Sequence, residues 1–237
     1  MKEFKKIAVL QPYFFPYIGY FQIIDACDIF VVFDDVNYIN KGWINRNRIL
    51  LNGLDHFISL PLSKASQNKL INEINISEEY CVQQKKLLDQ IKHGYKKAPF
   101  FKETYPIIEQ IILNQEKDLV KYLVYSLFQL CNYLGISFNY QLSSSIAKDN
   151  SKKGQLKIIE ICNILNANCY INPIGGTELY DKNIFLSNNI DLKFISTQPI
   201  TYNQFDNKFI PHLSIIDLLM FNSKNEAKIL IKSYNLI

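Results

Sequence analysis

Two carboxylates in tandem, Asp34-Asp35, close a short apolar run. Beyond them lies Asn45-Arg46-Asn47-Arg48, in a polar stretch that also holds Lys41 and the only tryptophan, Trp43. Adjacent carboxylates can bind a sugar hydroxyl, take a proton from an amine or hold Mg²⁺; they also suit a turn or a helix cap. Arg46 and Arg48, interleaved with Asn45 and Asn47, offer charge-assisted donors to a diphosphate or a carboxylate. Their plain alternative is a solvated strand end making surface ion pairs. His212 lies between Pro211 and an apolar helical run, where it fits a general base with Asp217 as orienting partner, or a satisfied structural histidine.

An aromatic corner lies upstream, Gln11-Pro12-Tyr13-Phe14-Phe15-Pro16-Tyr17-Ile18-Gly19-Tyr20. Gly19 there would let the backbone approach a phosphate, and a helix start offers it unpaired N–H groups. Tyr13, Tyr17, Tyr20 and Tyr38 could stack on a base or sugar, or simply pack. Gln11 and the pair Tyr95-Lys96, close to His93, join the candidates. So does Gly175-Gly176-Thr177-Glu178 with Tyr180, which is either a substrate loop or a turn. The cysteines and histidines lack the close spacing of a zinc site, so no metal ligand is assigned.

These residues need a scaffold. Ile7 to Leu10 reads as a buried strand, Pro12 and Pro16 keep the link extended, and Ile18, Phe21 and Ile24 recur at helical spacing. Ile29 to Phe33 then forms a second strand, giving a βαβ unit whose crevice lies at the strands' carboxyl ends. Asn52-Gly53 turns a hairpin between Ile49–Leu51 and His56–Leu60. Leu70 to Ile76 is a further strand candidate. Helices follow from Ser77 to about Gly94, from Thr104 to Asn114, and from Asp118 to a C-cap at Gly135. Strands at Ile136–Leu142, Cys169–Ile171 and Asp191–Ile195 alternate with a helix over Gln155–Leu165. An aromatic loop, Tyr202–His212, precedes closing helices at Leu213–Phe221 and Asn225–Tyr234. The economical fold is α/β: a mainly parallel sheet with helices on both faces, plus a hairpin and a helical insertion. Residues 1–237 make one domain, with the insertion or subdomain over roughly 77–135.

At 237 residues, 48% apolar and 20% charged, the chain can bury a sizeable core,. A net charge of +4 is too small to argue for nucleic acid but suits a phosphorylated substrate,. The five cysteines form no CxxC pair and read as buried thiols in a reducing compartment,. Lys2, Glu3, Lys5 and Lys6 flank too short an apolar run for a signal peptide, and no stretch approaches the about 18 apolar residues of a membrane span. The expectation is a cytoplasmic protein with no membrane partner.

Tyr17-Ile18-Gly19-Tyr20, just after the first strand, resembles in position and shape the HIGH signature of nucleotidyl transferases and class I aminoacyl-tRNA synthetases, which implies a Rossmann-like (HUP-like) sheet. Both histidines of that signature are tyrosines here, and Tyr cannot supply imidazolium charge to a departing pyrophosphate. Ser143-Ser144-Ser145-Ile146-Ala147-Lys148 resembles that superfamily's second, lysine-bearing signature. A wider resemblance, to the WbqC-like family, rests on the corner from Gln11 to Tyr20 and on four further blocks. They are Asp34-Asp35-Val36-Asn37-Tyr38, Gly42-Trp43-Ile44-Asn45-Arg46-Asn47, Tyr95-Lys96-Lys97-Ala98-Pro99-Phe100 and Pro211-His212-Leu213-Ser214-Ile215-Ile216-Asp217. That family is associated with surface-polysaccharide (O-antigen) gene clusters. The resemblance implies modification of a nucleotide-linked amino sugar, with glycine attachment favoured. The partners would be the amino sugar and an activated amino-acid donor, with no nucleic acid unless that donor is aminoacyl-tRNA. ATP with Mg²⁺ and a homodimer both stay open. The other readings are a non-catalytic nucleotide-sugar binding or assembly protein and a nucleotidyl transferase.

Overall fold

The computed structural model describes residues 4–205 and 208–237. Residues 206 and 207, inside the expected aromatic loop, lie outside the described residues. The chain opens with β1 (Lys6–Leu10), α1 (Ile18–Ala26) and β2 (Ile29–Val32), and β1 and β2 pair in parallel from Ile7↔Ile29 to Leu10↔Val32. Next comes the hairpin β3 (Arg46–Leu51) and β4 (Leu54–Ser59). Its turn residues Asn52 and Gly53 sit at φ 53° and 76°, the left-handed conformation that a two-residue hairpin needs and this pair tolerates,. The hairpin starts earlier than the sequence implied, so Arg46, Asn47 and Arg48 are strand residues rather than loop.

A two-residue ribbon, β5 (Leu62–Ser63) with β6 (Asn75–Ile76), replaces the longer strand expected over Leu70–Ile76, because Ile71–Glu73 turns into a 3₁₀ helix. Three helices follow: α2 (Tyr80–Tyr95), α3 (Phe101–Ile112) and α4 (Leu119–Leu134). Asp118 caps α4 by accepting from Lys121 N at 3.0 Å, and Gly135 ends it at φ 67°, as its lack of a Cβ allows,. The remainder is β7 (Tyr140–Leu142), α5 (Gly154–Ile164), β8 (Cys169–Pro173), α6 (Lys182–Ser187), β9 (Asp191–Thr197), α7 (Ile215–Phe221), α8 (Lys224–Ile231) and β10 (Tyr234–Leu236). β7 is shorter than expected. α6 had no distinct sequence signal, and the last helix ends at Ile231 rather than running to Tyr234, which instead opens β10.

The main sheet runs β10-β9-β8-β1-β2-β7, all parallel except β10 against β9. It is a Rossmann-like sheet, built outward from β1 to β7 and then outward again from β8 to β10. Alternate residues feed two cores. Ile7, Val9, Val31, Tyr170 and Phe194 meet Ile158 and Cys162 of α5 and Phe185 of α6. Ala8, Phe30, Val32 and Ile171 meet α1, α7 and α8, in a cluster that also contains Ile91, Ile108 and Leu127 of α2 to α4. A doubly wound sheet binds ligands where the winding reverses, and that point is the gap between the carboxyl ends of β1 and β8.

Candidate functional site

A cavity of about 380 Å³ opens over this reversal point. Tyr13 and Tyr17 of the corner form one side, and Trp43 of the loop before the hairpin forms another with Asn47 and Arg48 of β3. Ile174, which follows β8, and Ser196-Thr197 at the end of β9 make the floor, and His212 closes the ring. Backbone ties hold the three walls together. Phe14 N donates to Trp43 O at 3.2 Å, and Asn47 Nδ2 donates to Phe14 O at 3.1 Å. Ser214 N donates to Arg48 O at 2.8 Å, Ser214 Oγ to Phe15 O at 2.8 Å, and Ile215 N to Pro16 O at 2.9 Å. The aromatic corner, the arginine–asparagine strand and the His212 segment are thus one assembly.

That assembly holds two bulky residues in the left-handed region, Phe15 at φ 41° and His212 at φ 58°. Such backbone costs on the order of 1–3 kcal/mol per residue and persists where surrounding structure enforces it, often at ligand sites. His212 is exposed, its ring edge-on to Tyr17 with centroids 6.3 Å apart, and its carbonyl accepts from Arg48 Nη2 at 3.4 Å. A second cavity of about 400 Å³, mostly apolar, is lined by residues 198–202, Phe209 and residues 211–213, and Tyr17, Thr197 and His212 belong to both chambers. His212 therefore stands in the wall between two chambers, the first of which carries the polar side chains of Asn47, Arg48 and Ser196.

The paired acids do not line either chamber. Asp34 is buried, and its two oxygens accept from Ser144 N at 2.9 Å and Ser144 Oγ at 2.6 Å, tying β2 to the turn after β7. Asp35 Oδ2 takes Lys148 Nζ at 2.7 Å and Lys157 Nζ at 3.1 Å. Burial alone would raise its carboxyl, but hydrogen bonding from Lys148, Ser143 and Lys157 outweighs that and holds it below the usual range,. A carboxylate so held is a poor base for an amine. Lys148, from the lysine-bearing segment after β7, is thereby consumed in a buried pair and also donates to Ser143 O.

Asp217 is not the partner of His212 either. It is fully buried, accepting from Tyr95 Oη at 2.9 Å, Tyr202 Oη at 2.7 Å and Gln204 Nε2 at 2.6 Å, while Tyr95 Oη accepts from Leu50 N at 2.7 Å. This cluster straps the loop before α7 to α2 and β3. Tyr95 is therefore a core residue, and Lys96 is an exposed helix end away from both chambers.

Several other candidates also prove to be scaffold. Tyr20 is buried with its hydroxyl donating to Gln11 O at 2.9 Å, and Gln11 lines neither chamber. Tyr38 is buried and donates to Asn45 Oδ1 at 2.7 Å, while Asn45 Nδ2 donates to Leu60 O at 2.8 Å. Arg46 Nε donates to Gly42 O at 3.1 Å and its Nη2 to Lys41 O, closing the loop. Tyr180 packs edge-on to Tyr170 and Phe185. Gly176 lets Asn172 pass, because a Cβ there would collide with its amide. A Cβ on Gly19 would meet the Tyr17 ring at 2.5 to 2.8 Å. The space over that glycine is therefore filled by a side chain, where the sequence implied room for a phosphate.

Three lining residues escaped the sequence reading: Ile174, Ser196 and Thr197. Their one signal was position, at the carboxyl ends of strands flanking the reversal point. Burial pushes the Cys27 thiol up to about 12, Cys162 up to about 12 and Cys169 up to about 11, which disfavours a thiolate nucleophile at each,. Among the described residues no group of three or more His, Cys, Asp or Glu could hold a metal ion, and no helix is long and apolar enough to cross a membrane.

A family model described as the WbqC-like protein family matches residues 11–229. The chain is also similar to a Mycobacterium tuberculosis (strain ATCC 25618 / H37Rv) protein described as uncharacterized protein Rv1507c. The two are 27% identical over 226 residues, which cover 94% of this chain and 96% of the relative. No solved structure matches the chain.

Proposed function

The chain belongs to the WbqC-like protein family, and on that premise we propose that it joins an activated amino acid, glycine first, to the amine of a nucleotide-linked deoxyamino sugar. Family membership suggests a role related to polysaccharide biosynthesis. The finer reading is carried by one observation: His212, strained and exposed, stands beside the donors Arg48 and Asn47 at the wall shared by two chambers.

In this mechanism Arg48 and the Asn47 amide, which both line the chamber, hold the diphosphate, and Tyr13 and Tyr17 bound the sugar,. An amine is mostly protonated near neutral pH and cannot attack until it loses that proton. Neutral His212 accepts it. The amine lone pair then attacks the acyl carbonyl carbon, the C–N bond forms, and the bond to the donor's leaving group breaks with its electron pair going to that group. The imidazolium returns its proton to the leaving group, and the second proton, released from the nitrogen as the amide forms, goes to solvent. Asp34 and Asp35 act at a distance, by fixing the ends of β2 and β7.

The test incubates purified protein with a dTDP-amino sugar and either glycine with ATP and Mg²⁺ or a pre-activated glycyl donor, and follows product mass. Gain of one glycyl residue is expected. No gain across a panel of sugars and donors would overturn the reading. A second reading, a sugar-nucleotide binding protein without turnover, draws support from the Tyr17 ring that covers Gly19; tight binding with no product would favour it.

A further inference from the structure

Beside the first chamber, the outer face of the hairpin and the loop before it carry an exposed stack of alternating character. The Arg46 guanidinium lies 4.5 Å from the Phe57 ring centre, Phe57 stacks on Trp43 with centroids 6.3 Å apart and planes 26° from parallel, and the Arg48 guanidinium lies 5.8 Å from the Trp43 centre. Trp43 is 39% and Phe57 47% exposed. Strand register explains the alignment, since Arg48 and Phe57 face each other across the hairpin. Two large rings left in water cost burial energy that a core position would have recovered. Guanidiniums beside exposed rings form a surface suited to a flat, electron-rich ligand.

We propose that Trp43, flanked by Arg48 and backed by Phe57, is the subsite for the base of a nucleoside diphosphate, whose phosphates run from Arg48 into the chamber that Asn47 and His212 line. The inference rests on the nucleotide-sugar reading and adds to it an orientation: base on the hairpin, diphosphate at Arg48 and Asn47, sugar toward His212. Close contacts between flat groups lie near 3.5 Å, so a base between Arg48 and Trp43 needs about 7 Å, roughly 1 Å more than their present spacing. Asp55, 2.9 Å from Arg48 Nη1 at the exposed edge, can hold the guanidinium as the gap widens. Of the other rings considered for stacking, Tyr20 and Tyr38 are buried and hydrogen-bonded, while Tyr13 and Tyr17 line the chamber on the sugar's side.

Because Trp43 is the only tryptophan, its fluorescence reports the subsite without background. The full chain is titrated with UDP and dTDP, and in parallel with pyrophosphate, with a free amino sugar and with an oligosaccharide. The nucleoside diphosphates should quench emission saturably while the other three do not. By calorimetry Trp43→Ala should weaken nucleotide binding about 5- to 150-fold, the worth of one base–aromatic stack, and Trp43→Phe should restore most of it. If Trp43→Ala binds nucleotide within about twofold of wild type, the inference is overturned even where sugar nucleotides are still turned over. Quenching by the oligosaccharide, with none by nucleotide, overturns it in favour of a glycan-stacking face. If no nucleotide binds at all, the nucleotide-sugar reading falls with it.

Discussion

Replacing Asp35 by asparagine should unfold the protein more readily, an effect a purely catalytic acid would not have. Its Oδ2 takes Lys148 at 2.7 Å and Lys157 at 3.1 Å, with the three side chains 10%, 1% and 9% exposed. The two ammoniums thus stand on the order of 6 Å apart at most, where unit charges at an effective dielectric of about 20 repel by about 3 kcal/mol,. Removing one partner of a buried pair costs about 3–5 kcal/mol, the same range. In a chain of 237 residues each kcal/mol moves Tm by about 2–4 °C, so a fall of roughly 6–20 °C follows,. The assay is thermal unfolding of wild type, Asp35→Asn, Lys148→Met and the double variant. The double variant should recover much of the loss, because only one buried ammonium remains. The pH dependence adds a sign. Asp35 is held below its ordinary value in the fold, so its contribution is complete above the unfolded value of about 3.9 and is lost as pH falls through the folded one,. The gap in Tm should stay flat from neutral to about pH 5 and close below about pH 4. A Tm within about 2 °C of wild type, or strictly additive losses in the double variant, would refute the reasoning.

Two further outcomes follow from the buried groups. Asp217→Ala strands three donors, from Tyr95, Tyr202 and Gln204, and should cost about 3–5 kcal/mol by denaturant unfolding, whereas Asp217→Asn keeps an acceptor and should cost less,. Burial outweighs those hydrogen bonds and raises the Asp217 carboxyl. Its contribution is therefore full below the unfolded value of about 3.9 and falls as pH rises through the folded one, so the deficit of Asp217→Asn should shrink over that rise; a deficit that grows would contradict the sign. Gly19→Ala must push the Tyr17 ring aside, yet it gains helix propensity of about 1 kcal/mol,. It should change sugar-nucleotide affinity while leaving Tm within a few degrees, and calorimetry beside thermal unfolding checks both.

The parts of the fold legible in the sequence were those with local signals. Asn52-Gly53 marked the hairpin, and Asp118 and Gly135 the two ends of α4, whereas the link expected to be extended by Pro12 and Pro16 bends at Phe15, which is left-handed at φ 41°. β10 and α6 were not legible, because a three-residue edge strand and a six-residue helix carry too little periodicity,. Residue type singled out Arg48, Asn47, Trp43, Tyr13, Tyr17 and His212, and tertiary ties bring these together. The same reasoning overvalued Asp34, Asp35 and Tyr95, since a sequence does not reveal that Ser144, Lys148, Lys157 and Leu50 consume their polar atoms. Partner identity at long range is what local chemistry lacks.

In the proposed reaction His212 accepts the amine proton at the wall between the chambers. The most direct measurement compares wild type with His212→Asn, chosen because asparagine tolerates the left-handed backbone at this position,. Binding of the sugar nucleotide and formation of the aminoacylated product are followed side by side. Turnover should fall by about 100-fold or more while the dissociation constant stays within a few-fold. Undiminished turnover, or binding lost in step with turnover, would contradict the claim.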